Sequence, residues 1–165
     1  IWIEQAPGTP PLNSITGVVS FGNTNGNGMR FVGGSNVKLR GSVLLGNQVN
    51  GLIVSAGAGA PGNDITMIDV GTTGGAGTTF GGNTLQGPLG FGNNSGAGLC
   101  LDMGDNAGTL KAAGNIFEAN NCATGAHALH FNAGGCDNLA CAGGVCDLGV
   151  TNGTGNDIDV TMCTH

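Results

Sequence analysis

One phrase recurs along this chain, and an internal repeat constrains a fold more than any single motif does. Apolar residues lead into Gly-Asn, then a short polar turn, then Gly and an alternating strand. The phrase reads VVSFGNTNGNGMRFV at 18–32, VLLGNQVNGLIV at 43–54 and LGFGNNSGAGLCLD at 89–102. Looser copies stand at 68–80, 116–131 and 148–160, and the opening IWIE has the form of a closing strand. Aligning the closing strands puts Trp2, Arg30, Ile53, Thr79, Cys100, His130 and Asp159 at their centres, with a mean spacing of about 26 residues. Propeller blades need ~40–45 residues, and the LxxLxL pattern of leucine-rich repeats is absent. One turn of a three-faced β-solenoid fits.

The residues beside each centre are apolar or small: Ile1 and Ile3, Met29 and Phe31, Leu52 and Val54, Leu99 and Leu101, Leu129 and Phe131, Ile158 and Val160. Period-two alternation marks a strand with one buried face. Two further strand sets precede each closing strand. The first holds Val43, Leu45, Ile68, Val70, Leu89, Phe91 and Ile116; the second holds Val37, Leu39, Ile65, Met67, Leu85 and Leu110. Asn23, Asn47, Asn93 and Asn120 occupy equivalent corners. Asn tolerates left-handed backbone and can bond its copies in neighbouring coils as a ladder. With 35 Gly in 165 residues, no 3.6-residue apolar stripe survives, so helices are excluded. The expected fold is all-β: a single-stranded right-handed parallel β-helix of about six coils. Residues 1–165 read as one such domain, with a Cys-rich segment at 122–165.

The Gly-Asn corner followed by a Gly-led strand resembles the right-handed parallel β-helix repeat of secreted bacterial proteins, the pectate-lyase-like superfamily. That resemblance covers nearly the whole chain and implies a scaffold. In enzymes of that superfamily, the site lies on outward positions of one long parallel sheet. On this chain that face would carry Asp102, His130 and Asp159, with Asp157 nearby. A carboxylate beside an imidazole suits general acid–base chemistry, and paired carboxylates suit glycoside hydrolysis. A polysaccharide lyase of that kind also needs a Lys or Arg to stabilise the developing enolate, and Arg30 stands about four coils from Asp159. The bland alternative is that these are solvated sheet positions.

Charge narrows the partners. The formal net charge is −6 with only four basic residues, so neither nucleic acid nor anionic lipid fits. No apolar run approaches the ~20 residues that span a bilayer, and no signal-peptide pattern stands at the start. Cys100, Cys122, Cys136, Cys141, Cys146 and Cys163 lack the close pairs of zinc sites. An even count in so uncharged a chain points to disulfides and an oxidising, secreted or cell-surface location. Six cysteines allow 15 pairings, and connectivity stays open. No cofactor is implied. Calcium has only the DMGDN loop, with Asp102 and Asp105, in its favour, and that loop matches no known calcium pattern.

Ile1, Trp2 and Ile3 and the pair Ile158 and Val160 appear in the same phase of the repeat. Either the chain is part of a longer solenoid or such ends stack head to tail into a fibre. Two functions compete: an extracellular structural, adhesive or surface-binding solenoid whose partner is itself or a polysaccharide, and a carbohydrate-active lyase, hydrolase or epimerase.

Overall fold

The computed structural model describes residues 1–5, 10–24, 26–55, 63–72, 81–85, 96–104, 106–117, 129–132 and 145–160. Short strands follow one another around an axis, and each pairs in parallel with its counterpart one coil away. The first coil holds β1 (Trp2–Ile3), β2 (Asn13–Thr16) and β3 (Val19–Phe21), and the second β4 (Met29–Val32), β5 (Val37–Arg40) and β6 (Val43–Leu45). The third holds β7 (Leu52–Ser55), β8 (Asn63–Asp64), β9 (Ile68–Gly71) and β10 (Thr84–Leu85). The fourth holds β11 (Gly96–Asp102), β12 (Asn106–Ala107), β13 (Leu110–Ala112) and β14 (Ile116–Phe117). Then come β15 (Leu129–Asn132), β16 (Val145–Thr151), a 3-10 turn at Gly155–Asp157 and β17 (Ile158–Asp159).

Three parallel sheets result. Sheet A runs β1-β4-β7-β11-β16-β15, sheet B β17-β13-β9-β5-β2 and sheet C β14-β10-β6-β3. The minor pair β8–β12 widens one corner. This is a three-faced parallel β-helix. Among the described residues no helix is long and apolar enough to cross a membrane.

The alternating pattern builds the core directly. On sheet A, Met29, Leu52, Leu99 and Leu148 stack in one inward row, and Ile3, Phe31, Val54, Leu101 and Val150 in the next. Sheet B contributes Val37, Leu39, Ile68, Val70 and Leu110, all fully buried. Stacking like on like buries each aliphatic side chain against its own copy, so a short repeat can sustain a continuous core.

Corners are set by glycine and a side-chain cap. Gly17, Gly41, Gly82 and Gly114 all have φ between +54° and +65° at the turn from sheet B to sheet C. A β-carbon is strongly disfavoured in that conformation. The next residue in each case is Val18, Ser42, Asn83 or Asn115. Val18 N donates to Ser42 Oγ, Ser42 N to Asn83 Oδ1 and Asn83 N to Asn115 Oδ1. Asn83 Nδ2 also donates to Asn115 Oδ1 at 2.8 Å and to the carbonyls of Leu39 and Val70. These buried amides thereby occupy the backbone groups that a sharp turn leaves unpaired. Coils approach so closely here that a β-carbon at Gly71 would lie 1.9 Å from the Ala113 carbonyl oxygen.

Several expectations need correction. Ile53 pairs directly with Cys100, so no strand centred on Thr79 stands between β7 and β11; Thr79 itself lies outside the described residues. The strand of the last copy that joins sheet A is β16, which sets Gly149 beside Cys100, while Ile158–Asp159 pairs with Leu110–Lys111 in sheet B. Both stretches alternate, and alternation alone does not say which face a strand joins. Ile1–Ile3 and Ile158–Val160 are therefore not in phase: β1 is an edge of sheet A and β17 an edge of sheet B. On sheet C the inward residues are Leu44, Leu85 and Phe117, so Val43, Leu45 and Ile116 face outward. Ile68 and Val70 belong to sheet B, beside Val37.

Candidate functional site

With the core rows fixed, the outward rows follow. On sheet A the central outward row is Trp2, Arg30, Ile53, Cys100 and Gly149, and the backbone of His130 pairs with Gly149. A second row holds Asp102 and Thr151, and the backbone of Asn132 pairs with Thr151. His130 and Asp102 thus stand on strands separated by β16, two strand spacings apart, or about 9.6 Å of backbone. Asp159 is on another face, opposite Lys111. The three residues expected to form one acid–base group are not brought together.

Asp102 has a local use. Its Oδ1 accepts from Asn152 Nδ2 at 2.8 Å, and its backbone carbonyl accepts from Asn106 Nδ2 at 2.7 Å. Asn152 has φ 55°, so its amide is presented from a left-handed turn. Asp105 lies outside the described residues, and these contain no group of three metal-ligating side chains. Asp157 closes a capping box, accepting from Thr154 N and Thr154 Oγ1.

Cys100 is fully buried and disulfide-bonded. Cys122, Cys136, Cys141 and Cys163 lie outside the described residues, and Cys146 is placed by its backbone pairing with Ala97. No complete disulfide falls among the described side chains. In the expected asparagine column, Asn23 Nδ2 donates to Asn47 Oδ1. Asn93 and Asn120 lie outside the described residues. Two columns went unread in the sequence: Asn83–Asn115, and Asn27–Asn50, in which Asn50 Nδ2 donates to Asn27 Oδ1 at 2.8 Å. The signal for the first was the pair of Gly-Asn dipeptides at 82–83 and 114–115, which serve a different corner from those at 22–23 and 46–47.

The outer faces differ in chemistry. On sheet B, Ser14, Lys38, Asp69, Lys111 and Asp159 stand in one row, alternating in sign from Lys38 onward. Arg40 Nη2 grips both carboxylate oxygens of Asp69, at 2.7 and 2.6 Å, and Nη1 reaches its backbone carbonyl. On sheet C the outward positions are Val19, Val43, Thr84 and Ile116, with Phe21 and Leu45 beside them.

One pocket of about 490 Å³ lies at the corner between sheets C and A near the first coil. Ile1, Trp2, Asn23, Thr24, Asn27 and Arg30 line it. The Arg30 guanidinium lies 4.9 Å from the Trp2 ring centroid, and its Nε donates to Ser55 Oγ at 3.0 Å. Cation–π contact and one hydrogen bond hold the cation in place without neutralising it. The arrangement can receive an anion and a flat apolar surface together. No family model, curated protein or solved structure matches this chain.

Proposed function

We propose that this chain is an extracellular structural or surface-interaction β-solenoid that associates with further copies. The observation that carries the reading is where apolar surface is exposed. Among the described residues the exposed large hydrophobic side chains are Ile1, Trp2, Leu12, Val19, Phe21 and Ile116, and all but the last belong to the first coil. Val19 and Phe21 are 70% and 68% exposed. Exposed apolar side chains clustered on one outer face are a contact surface for another chain.

The Gly-Asn corners support a pectate-lyase-like architecture, and disulfide-bonded Cys100 supports an oxidising compartment. The carbohydrate-active alternative needs Asp102, His130 and Asp159 around one substrate; their spread over two faces favours the structural reading. Extracellular polysaccharide stays a possible partner of the exposed Trp2 ring, since indole faces pack on sugar rings.

Negative-stain microscopy with sizing at several concentrations tests the proposal. Wild-type protein is expected to form larger species as concentration rises, and Val19→Lys with Phe21→Lys to remain small with unchanged thermal unfolding. A wild-type chain that stays monomeric throughout overturns the reading.

A further inference from the structure

Four asparagines in this chain are followed directly by glycine: Asn25, Asn27, Asn50 and Asn152. With no side chain on the second residue, its backbone nitrogen can approach the preceding side-chain amide unhindered. Asn25 lies outside the described residues, and the fold treats the other three differently. Asn50 is fully buried; its Oδ1 accepts from Ala97 N at 2.8 Å, and Gly51 N donates to the Ala97 carbonyl at 3.0 Å. Asn27 is half-buried; its Oδ1 accepts from Asn50 N and Asn50 Nδ2, and Gly28 N donates to the Asn50 carbonyl at 2.9 Å. In both pairs the amide and the nitrogen that follows it are tied into the stack of coils.

The pair after β16 is free of those ties. Asn152 is exposed, and Gly153 N has no hydrogen-bond partner among the described residues. The Asn152 amide is held by its exposed bond from Nδ2 to Asp102 Oδ1, at 2.8 Å. The corner nevertheless requires both residues. Asn152 has φ 55°, a left-handed conformation that asparagine tolerates better than most side chains. A β-carbon at Gly153 would lie 2.4 Å from Met103 Cγ and 2.9 Å from Asp157 Oδ2.

We propose that Asn152 is a site of spontaneous deamidation, with water as the co-reactant. Gly153 N loses its proton and attacks Asn152 Cγ. A C–N bond forms, the bond from Cγ to Nδ2 breaks, and Nδ2 leaves as ammonia. Water then adds to one of the two carbonyls of the cyclic imide and opens it, to aspartate or to isoaspartate, with no oxidation or reduction. Asp102 thereby loses a donor and gains a carboxylate as neighbour, and like charges at one place disfavour each other. Isoaspartate also adds a methylene to the main chain just before the 3-10 turn that Thr154 caps.

Peptide mapping by mass spectrometry, after ageing the folded protein in mildly alkaline buffer, tests the site. Conversion of amide to acid is expected at Asn152, as a mixture of the two isomers, at least about tenfold faster than at Asn27 or Asn50, because an exposed turn opens more readily than a buried coil. In denaturant the three rates should converge, since all three are Asn-Gly. The melting temperature of wild type should fall on ageing, and Asn152→Asp should reproduce part of that fall without ageing. Asn152→Gly keeps the left-handed backbone without an amide, and its melting temperature should not fall on ageing. Folded protein in which Asn152 stays intact, or reacts no faster than Asn27 and Asn50, overturns the proposal.

Discussion

Sheets B and C share one core yet meet solvent in opposite ways. Inside, both stack aliphatic rows: Val37 on Ile68 in sheet B, and Leu44 on Leu85 in sheet C. Outside, sheet B sets Lys38, Asp69, Lys111 and Asp159 in alternation, whereas sheet C shows Val19, Val43, Thr84 and Ile116. Neighbouring coils are only about 4.8 Å apart, so each outward side chain faces its own equivalents above and below. On a parallel stack, like charges in one row repel, so a charged row must alternate, and an apolar row need not. The solenoid has thus closed off sheet B by pairing its charges internally. Sheet C keeps an outer surface whose chemistry can be satisfied only by something else.

The sharpest way to break this comparison is to move one residue along sheet C. Leu44 is fully buried and Leu45 faces outward. Leu44→Ala should cost about 2–5 kcal/mol in chemical unfolding, whereas Leu45→Ala should cost less than about 1 kcal/mol. Equal effects would mean that the sheet C register is wrong. The corner between the two sheets comes next. Asn83→Ala leaves the buried Ser42 N without its acceptor and takes one of two donors from each of the Leu39 and Val70 carbonyls, and should cost about 2 kcal/mol. Outer sheet B follows. Asp69→Ala strips Arg40 of a partly buried bidentate partner and leaves Lys38 and Lys111 on either side of an uncharged position. A loss of about 1–3 kcal/mol is expected, shrinking as salt is added. The same truncation at Val43, on sheet C, should change stability little and association more.

The smallest effect concerns acid. Asp64 has its carboxyl held below the ordinary value of 3.8, chiefly by the Thr66 side-chain and backbone hydrogen bonds, with Lys111 adding to them against a small opposing effect of burial. Its ionised form is thus favoured in the folded state. The resulting stability is fully present above the unfolded value and is lost as pH falls through the lower folded one. Wild type and Asp64→Asn should therefore differ slightly in melting temperature at pH 6 and converge at strongly acid pH. A gap that widened on acidification would contradict that assignment.

The inward rows of sheet A were legible because Met29-Arg30-Phe31 alternates and fixes the phase for copies such as Leu52-Ile53-Val54 that align with it through the Gly-led repeat. Sheet C was read one residue out of register. Val43-Leu44-Leu45 is apolar at every position, so its pattern gives no phase, and only stacking on Leu85 and Phe117 selects Leu44. Asp159 was assigned to sheet A rather than sheet B for a related reason. Two alternating stretches, 148–150 and 158–160, follow in quick succession, and local sequence does not say which turns a corner first. The Gly-Asn signal was read as one corner although it marks two, since the dipeptide looks the same at Gly46-Asn47 and at Gly82-Asn83. The Trp2–Arg30 neighbourhood was legible, since the repeat alignment sets both residues at the centres of successive closing strands and the register pairs them.

The asparagine columns carry one more consequence. In the corner of Asn83 and Asn115, and in that of Asn23 and Asn47, the earlier coil donates to the later one. In the third column the direction reverses: Asn50 donates to Asn27, and Ala97 N donates to Asn50 Oδ1. Each column is a file of aligned dipoles, and one file opposes the other two. A helix adds its peptide dipoles into a field that emerges at its ends; this solenoid partly cancels its own. Among the described asparagine columns, then, no single polarity runs along the winding.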